Sequence, residues 1–432
     1  MVGGGFGGLL LARELAQAGA RGRPVEVTLI DQRNHHTFQP LLYQVATAGL
    51  QPQDIGISLR ATLRRHAPQI RLGEVVDIDP DAHTVTLADD SSVTYDRLVL
   101  AAGAVSTDLG LPGVADHSFG LKSLADATAV RNHVLRRFEL ASHDPDAHED
   151  GSLTFVIAGG GPTGVELAGA LAELVTLVLS RDHPDLDTSR VRIVLVEVMD
   201  RLLGGFSSRS AEQARRELER RGVEVRLGTG IAETSDTHVT FDDGEVLLAR
   251  TLVWAAGVAA SPLAQTLGVE LGPGGRLPVD RRLRVEGVED VHAIGDIALG
   301  LDDDGEPLPQ VAPVAIQHGR YLSQLIQDEL AREPTRPFTY RDKGTMATVG
   351  RSAAVAELPN GLRFGGFPAW IAWLVLHLWM LIGFKNRVGV LFSWFWNYLF
   401  RDHAARLIVD QREAGGRGAA DDSSAATAPP EP

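Results

Sequence analysis

The run Leu153-Thr154-Phe155-Val156-Ile157-Ala158-Gly159-Gly160-Gly161-Pro162-Thr163-Gly164-Val165-Glu166 decides the fold of this 432-residue chain. Its apolar first part reads as a buried strand over Leu153–Ala158, and the residues after the glycines predict a helix over Pro162–Leu179. A second strand is expected at Val191–Val196, followed at once by Glu197. Strand, G-x-G-x-x-G, helix, strand and terminal acid form the βαβ unit that binds a dinucleotide. Gly159 permits the tight turn, Gly161 lets backbone approach a pyrophosphate, and Gly164 lets helix pack on strand. The phosphates then lie at the helix N-terminus, where free N–H groups and the dipole favour negative charge. Glu197 is placed for the adenosine ribose. An acid there repels a 2′-phosphate, so NADH is expected over NADPH. A glycine-rich turn beside an incidental acid is the alternative.

Working outward, the same unit occurs earlier. Gly3-Gly4-Gly5-Phe6-Gly7-Gly8 opens a helix expected at Gly8–Ala18, and a strand at Val25–Ile30 leads to Asp31. Gly3, Gly5 and Gly8 match Gly159, Gly161 and Gly164. Only Met1 and Val2 precede this copy, whereas its central strand needs about five residues. The expectation is therefore a natural start upstream of Met1. The repeat continues beyond the loops. Arg71-Leu72-Gly73, His83–Thr86 and Leu98–Ala104 correspond to Arg226-Leu227-Gly228, His238–Phe241 and Leu252–Val258. Gly103 and Gly257 close the last runs of the two copies. The spacing is too long for a solenoid and fits one domain type used twice. A third element, Val291-His292-Ala293-Ile294-Gly295-Asp296, is a short strand ending in Gly-Asp. There Gly295 allows close backbone approach and Asp296 can accept from a ribityl-type hydroxyl; Gly-Asp is also a common turn.

Composition excludes several chemistries. Lys and Arg number 41 against 56 Asp and Glu, a formal charge of −15, so no nucleic-acid partner is expected. Cysteine is absent, which removes thiolate nucleophiles, disulfides, zinc–thiolate sites and iron–sulfur clusters. No metal site is expected. The first residues have neither a basic nor an apolar signal region, so the cytoplasmic side is the default.

The C-terminal third differs. Phe367–Phe384 runs 18 residues without a formal charge, and a second apolar run, Val388–Phe400, follows Lys385-Asn386-Arg387. Five of the six tryptophans lie here, and Trp and Tyr favour membrane interfaces. Residues 367–408 carry Lys385, Arg387, Arg401 and Arg406 against Asp402, a locally basic patch suited to an anionic bilayer. Helices lying in one leaflet fit both run lengths. A span by the first run is marginal in length, and a buried homodimer interface is the third arrangement. No set of spanning segments carries ionisable residues, so proton pumping is not expected. From about Gln411 to Pro432 the composition is that of a disordered tail.

Together these pieces resemble the two-dinucleotide-binding-domain flavoproteins and, more narrowly, the type II NADH dehydrogenases. The resembling stretches include His36-Thr37-Phe38-Gln39-Pro40-Leu41-Leu42-Tyr43-Gln44-Val45-Ala46-Thr47-Ala48-Gly49, of which Phe38–Gly49 is specific, as is Val311–Arg320. Gly161–Gly169 and Trp254-Ala255-Ala256-Gly257-Val258 add to them. The resemblance implies an α/β fold of two Rossmann-like domains plus a C-terminal membrane-associating region. It divides the chain into 1–115 and 261–330 (FAD-binding), 116–260 (NADH-binding), 331–410 (C-terminal) and the 411–432 tail. It implies FAD on the first loop with Asp31, Gly103, Gly295 and Asp296, and NADH on the second with Glu197 and Gly257. Hydride would pass from NADH to flavin and two electrons onward to a membrane quinone, at the cytoplasmic face of the cell membrane. Catalytic roles fall on Glu166, implicated in proton handling, and on Gln317, matching a quinone-pocket glutamine. For Glu166 the plain reading is a favourable charge in a helix first turn. For Gln317 it is a capping amide at the start of a helix over Ala315–Leu330. Tyr43 and Tyr321 would line the same pocket or fill the core. Two other functions share the nucleotide domains: a soluble reductase of a ferredoxin-type protein, and an NADH-binding redox sensor.

Overall fold

Two parallel sheets, each beginning at a glycine loop, organise the chain. The computed structural model describes residues 1–409, apart from 23, 24, 66, 67, 145, 401 and 404. The expected disordered tail lies outside the described residues. The second sheet has the strand order Val223–Leu227, Arg192–Glu197, Thr154–Ala158, Thr251–Trp254, all parallel. Every residue of Thr154–Ala158 is buried, as a central parallel strand requires.

The first sheet repeats this order with Gln69–Leu72, Thr28–Asp31, then Leu98–Leu100 and Val291–Ala293. Between its halves lies Val2, bridged in parallel to both Ile30 and Leu100. Val2 N donates to Val99 O and Gly3 N to Ile30 O, at 2.9 and 2.8 Å. Met1 and Val2 thus occupy the centre of the sheet, where the other copy has five residues. The strand read at Val25–Ile30 forms later, at Thr28–Asp31.

The repeat extends to the antiparallel sheets beside each unit. Val75–Asp79, Thr84–Leu87 and Ser92–Thr94 form one; Ile231–Thr234, His238–Phe241 and Val246–Leu248 form the other. Even a bulge recurs, between Val75 and Asp77 and between Ile231 and Glu233. The strands Ala104–Ser106 and Val258–Ala260, one leaving each unit just after Gly103 or Gly257, pair antiparallel and join the halves.

Three helices differ in extent from the sequence reading, and the one expected at Gly8–Ala18 runs Phe6–Ala20. The helix expected from Ala315 begins at Ala312, because Pro313 in its first turn fixes φ where no N–H is needed. Gln317 therefore sits in the second turn and is not a cap. The helix expected over Pro162–Leu179 is α-helical only to Glu173 and continues as a π-helical stretch, Leu174–Leu179.

The C-terminal region is a three-stranded antiparallel sheet, Thr345–Thr348, Ala354–Glu357 and Arg363–Gly365, followed by helices Phe367–Met380 and Phe384–Phe400. Its first strand lies on the Pro162–Glu173 helix at Gly169. A Cβ there would sit 2.8 Å from Gly350 N, so only glycine allows this approach. Trp373 is buried to 1% exposure and ties the first helix to the main core.

Candidate active site

Both glycine loops have the same construction. Gly3 and Gly159 adopt φ of +102° and +106°, and a Cβ on either would strike the carbonyl of Ala101 or Ala255. At Gly5 and Gly161, the N-caps of the helices Phe6–Ala20 and Pro162–Glu173, a Cβ would meet nothing within 4 Å. Neither helix start has a side-chain cap. Each loop therefore offers uncapped N–H groups to open space, the cradle a pyrophosphate fills.

The two acids close their loops alike. Asp31 accepts Gly4 N at 2.6 Å and Arg33 N at 2.7 Å. Glu197 accepts Gly160 N at 2.6 Å and Met199 N at 2.8 Å. Each carboxylate holds the loop in shape from one side and keeps further lone pairs for a ribose. Gly103 is likewise open. Gly257 faces Thr107 and Leu109 closely.

The Gly295-Asp296 element rests on His318, which sequence reasoning passed over. His318 is fully buried, its Nδ1 accepts Gly295 N at 3.2 Å, and burial lowers its pKa to about 3. It is a neutral acceptor that fixes the tautomer and the turn. Burial raises the Asp296 carboxyl, while the Lys122 and Arg276 charges pull it down. Lys122, from a loop far along the chain, is the second residue the sequence did not single out. These residues fit FAD by their open cradle, fixed turn and half-buried acid.

Glu166 lies on the fifth residue of the Pro162–Glu173 helix, 8% exposed and tucked under the C-terminal sheet. Its Oε1 accepts Thr348 N at 3.2 Å. Burial pushes its pKa up to about 8, against the favourable pull of the Thr348 amide, the Trp373 indole and the Thr348 hydroxyl. Trp373 Nε1 is itself buried without a hydrogen-bond partner in good geometry. Burial therefore favours the protonated carboxyl at pH values where an exposed glutamate is charged.

Around it, Tyr43 bonds Thr348 Oγ1 at 3.0 Å and packs edge-on to Trp373. Tyr321 belongs to a different core, against Phe338. The structure does not bring the two tyrosines together. Gln317 is engaged elsewhere too: its amide donates to Arg341 O at 2.9 Å and accepts Arg341 N at 3.0 Å.

A fold of two matched dinucleotide cradles joined by an antiparallel strand pair, with a buried carboxyl on the second helix, defines a pyridine-nucleotide flavoprotein oxidoreductase. Residues 1–319 match the pyridine nucleotide-disulphide oxidoreductase family, and residues 343–403 match the NDH2 C-terminal domain. Two proteins of Mycobacterium tuberculosis are close over nearly the whole chain. Type II NADH:quinone oxidoreductase Ndh is 37% identical, covering 95% of this chain and 90% of its own length. NdhA, of the same description, is 38% identical over 95% and 89%. The structure of NDH2 from Plasmodium falciparum in complex with NADH shares the fold, with a TM-score of 0.84 at 19% identity, covering 95% of this chain and 99% of that one. The chain belongs to the type II NADH:quinone oxidoreductase family.

Proposed function

We propose that this chain is a membrane-attached, non-proton-pumping NADH:quinone oxidoreductase, with FAD at the first loop and NADH at the second. The observation that carries the reading is the position of Glu166. The helix that starts at the NADH loop brings it beneath the NDH2-type C-terminal sheet, buried and holding a proton near neutrality. Bound FAD supplies the hydride acceptor and the two-electron donor. Gly3, Gly5, Gly8, Asp31, Gly103, Gly295 and Asp296 hold it; Gly159, Gly161, Gly164, Glu197 and Gly257 hold NADH. Glu166 exchanges the proton that quinone reduction consumes. Gln317, whose amide is held on the Arg341 backbone, keeps its quinone-side role only as what the family resemblance implies.

The C-terminal helices suit a lipid surface. In Phe384–Phe400 the two asparagines face inward: Asn386 Nδ2 donates to Gln53 O and Asp54 O, and Asn397 Nδ2 donates to Gly49 O, each at 2.9 Å. Val388, Leu391, Phe392, Phe395 and Leu399 face outward and are at least half exposed. This polar-in, apolar-out helix is the inverse of a soluble surface helix. Phe367–Met380, at 14 residues, rises about 21 Å, short of the roughly 30 Å hydrocarbon core. The one helix long and apolar enough to cross among the described residues, Pro162–Asp182, is 72% buried in the protein. This outer face supports attachment in one leaflet, which we read as lying on the cytoplasmic side of the membrane. A soluble ferredoxin-type reductase has no use for such a face.

The test is anaerobic. NADH added to detergent-purified protein should bleach the flavin band, and a short-chain quinone should restore it rapidly. Bleaching without recovery would refute quinone reduction. Absence of a flavin band would refute FAD at the first loop.

A further inference from the structure

A line of hydrogen-bonded side chains runs from the outermost helix to Thr348, whose backbone amide reaches Glu166. Trp394, on Phe384–Phe400, donates its indole N–H to Gln44 Oε1 at 2.7 Å. Gln44 Nε2 donates to the Tyr43 hydroxyl at 2.9 Å, and that hydroxyl meets Thr348 Oγ1 at 3.0 Å. Thr348 N donates to Glu166 Oε1 at 3.2 Å, and the nearby Thr348 hydroxyl favours the charged form of the carboxyl.

The direction of this line is fixed at its outer end. An indole N–H is a donor only, so it turns the Gln44 carbonyl toward itself and the Gln44 NH₂ toward Tyr43. Tyr43 and Thr348 share the next bond, in which either hydroxyl can donate. The Thr348 amide N completes the line to Glu166 Oε1. Successive bonds polarise one another. The line crosses three separate parts of the chain: the Leu42–Ala46 helix, the Thr345–Thr348 strand and the last helix.

We propose that Thr348, Tyr43 and Gln44 are positioning residues, oriented by Trp394, that stabilise the carboxylate of Glu166 while the Phe384–Phe400 helix is seated. The proposal rests on Glu166 being the proton-exchanging group. No cation opposes the line. Tyr43 is the titratable group facing Glu166 from the Leu42–Ala46 helix, and burial and the carboxylate raise its own pKa beyond the working range. On its own helix Glu173 is held by Arg221. On the Ser208–Arg220 helix, Glu212 is paired with Arg215 and Arg216, and Glu217 with Arg220 and Arg221. On Val223–Leu227, Glu224 pairs with Arg226. The Thr345–Thr348 strand has no titratable side chain, and His377 on Phe367–Met380 is turned to Trp373 O. With burial raising the carboxyl and no charge lowering it, hydroxyl and amide dipoles are what the protein has to bring it back toward neutrality.

The experiment is a pH profile of quinone reduction by the detergent-purified holoenzyme, using NADH and a short-chain quinone. It compares wild type, Glu166→Gln, Thr348→Val, Thr348→Ser, Tyr43→Phe and Trp394→Phe. A second readout needs no turnover: the pH dependence of the Tm difference between each variant and its Glu166→Gln double mutant. Wild type should show a limb near pH 8 that Glu166→Gln abolishes. Thr348→Val should move it up by about one unit and Thr348→Ser should restore it. Tyr43→Phe and Trp394→Phe should give successively smaller upward shifts, as polarisation decays along the line. A limb that Glu166→Gln abolishes but that Thr348→Val and Tyr43→Phe leave in place overturns the line and spares the role of Glu166. A limb that survives Glu166→Gln overturns that role, and the line with it.

Discussion

Thr348 N donates to Glu166 Oε1 at 3.2 Å, bridging the nucleotide-binding helix to the C-terminal sheet across 182 positions of sequence. The contact exists because Gly169 lets the sheet's first strand lie on that helix. One amide cannot offset burial, and the carboxyl titrates near 8 in place of its ordinary value of 4.5. The folded protein therefore binds one more proton than the unfolded chain between about pH 4.5 and 8. Stability from this site falls as pH rises through that window and levels off above it. Glu166→Gln should match wild-type Tm at pH 4 and exceed it increasingly toward pH 8, by the equivalent of a few kcal/mol at about 1.4 per unit. Thermal unfolding of the pair at five pH values checks it. A Tm difference independent of pH would place the titration elsewhere.

The openness of Gly5 and Gly161 separates ligand effects from folding effects. Gly5→Ala adds a methyl to open space, so the unfolding free energy of the flavin-free protein should stay within about 1 kcal/mol of wild type while flavin content falls. Gly8→Ala differs, because its Cβ would lie 1.9 Å from Gly3 O. It should destabilise the fold by about 1–3 kcal/mol as the loop is displaced. Flavin-to-protein absorbance ratios and melting curves distinguish the two. Full flavin content in Gly5→Ala would remove that loop from the site.

Glu197 does two jobs, and its replacement should reveal both. Glu197→Arg exchanges an acceptor of two loop amides for a cation suited to a 2′-phosphate. kcat/KM for NADH should drop, and the NADPH/NADH ratio should rise roughly tenfold, about 1.4 kcal/mol of changed preference. Glu197→Gln keeps one acceptor oxygen but loses the charge that repels a 2′-phosphate, so it should lower NADH use and raise the ratio by less than Glu197→Arg does. An unchanged ratio in Glu197→Arg would take this residue away from the ribose.

What could be read in the sequence was whatever lies within one βαβ unit or repeats between the two. The glycine spacing, the acids Asp31 and Glu197, the helices and the antiparallel pairs all obey short-range rules, and the second copy checks the first. The apolar C-terminal runs were legible by composition. What was hidden depends on long-range contact. Thr348 is an ordinary strand threonine until Gly169 sets it against Glu166. His318 follows Gln317 directly, yet the histidine braces Gly295, while Gln317 is drawn to Arg341 by backbone complementarity. The polar-in pattern of Asn386 and Asn397 has meaning only once the loop carbonyls they meet are known.

The same inversion says how to detach the protein without breaking it. Removing everything from Phe367 onward would also remove Trp373, 1% exposed in the core, and Trp394, which holds Gln44. A soluble product from that truncation would report unfolding as readily as lost anchoring. Phe392 and Phe395 are 62% and 58% exposed on the outer face. Each is worth roughly 1.5–3 kcal/mol when buried in an apolar medium. Phe392→Asp with Phe395→Asp should leave Tm and reduction of a short-chain quinone unchanged. It should cut co-flotation with anionic vesicles by well over tenfold and slow reduction of a long-chain quinone held in them. If the pair instead leaves flotation intact and lowers the molecular mass in light scattering, the face is closed by a second copy of the chain, and the membrane contact lies on another surface.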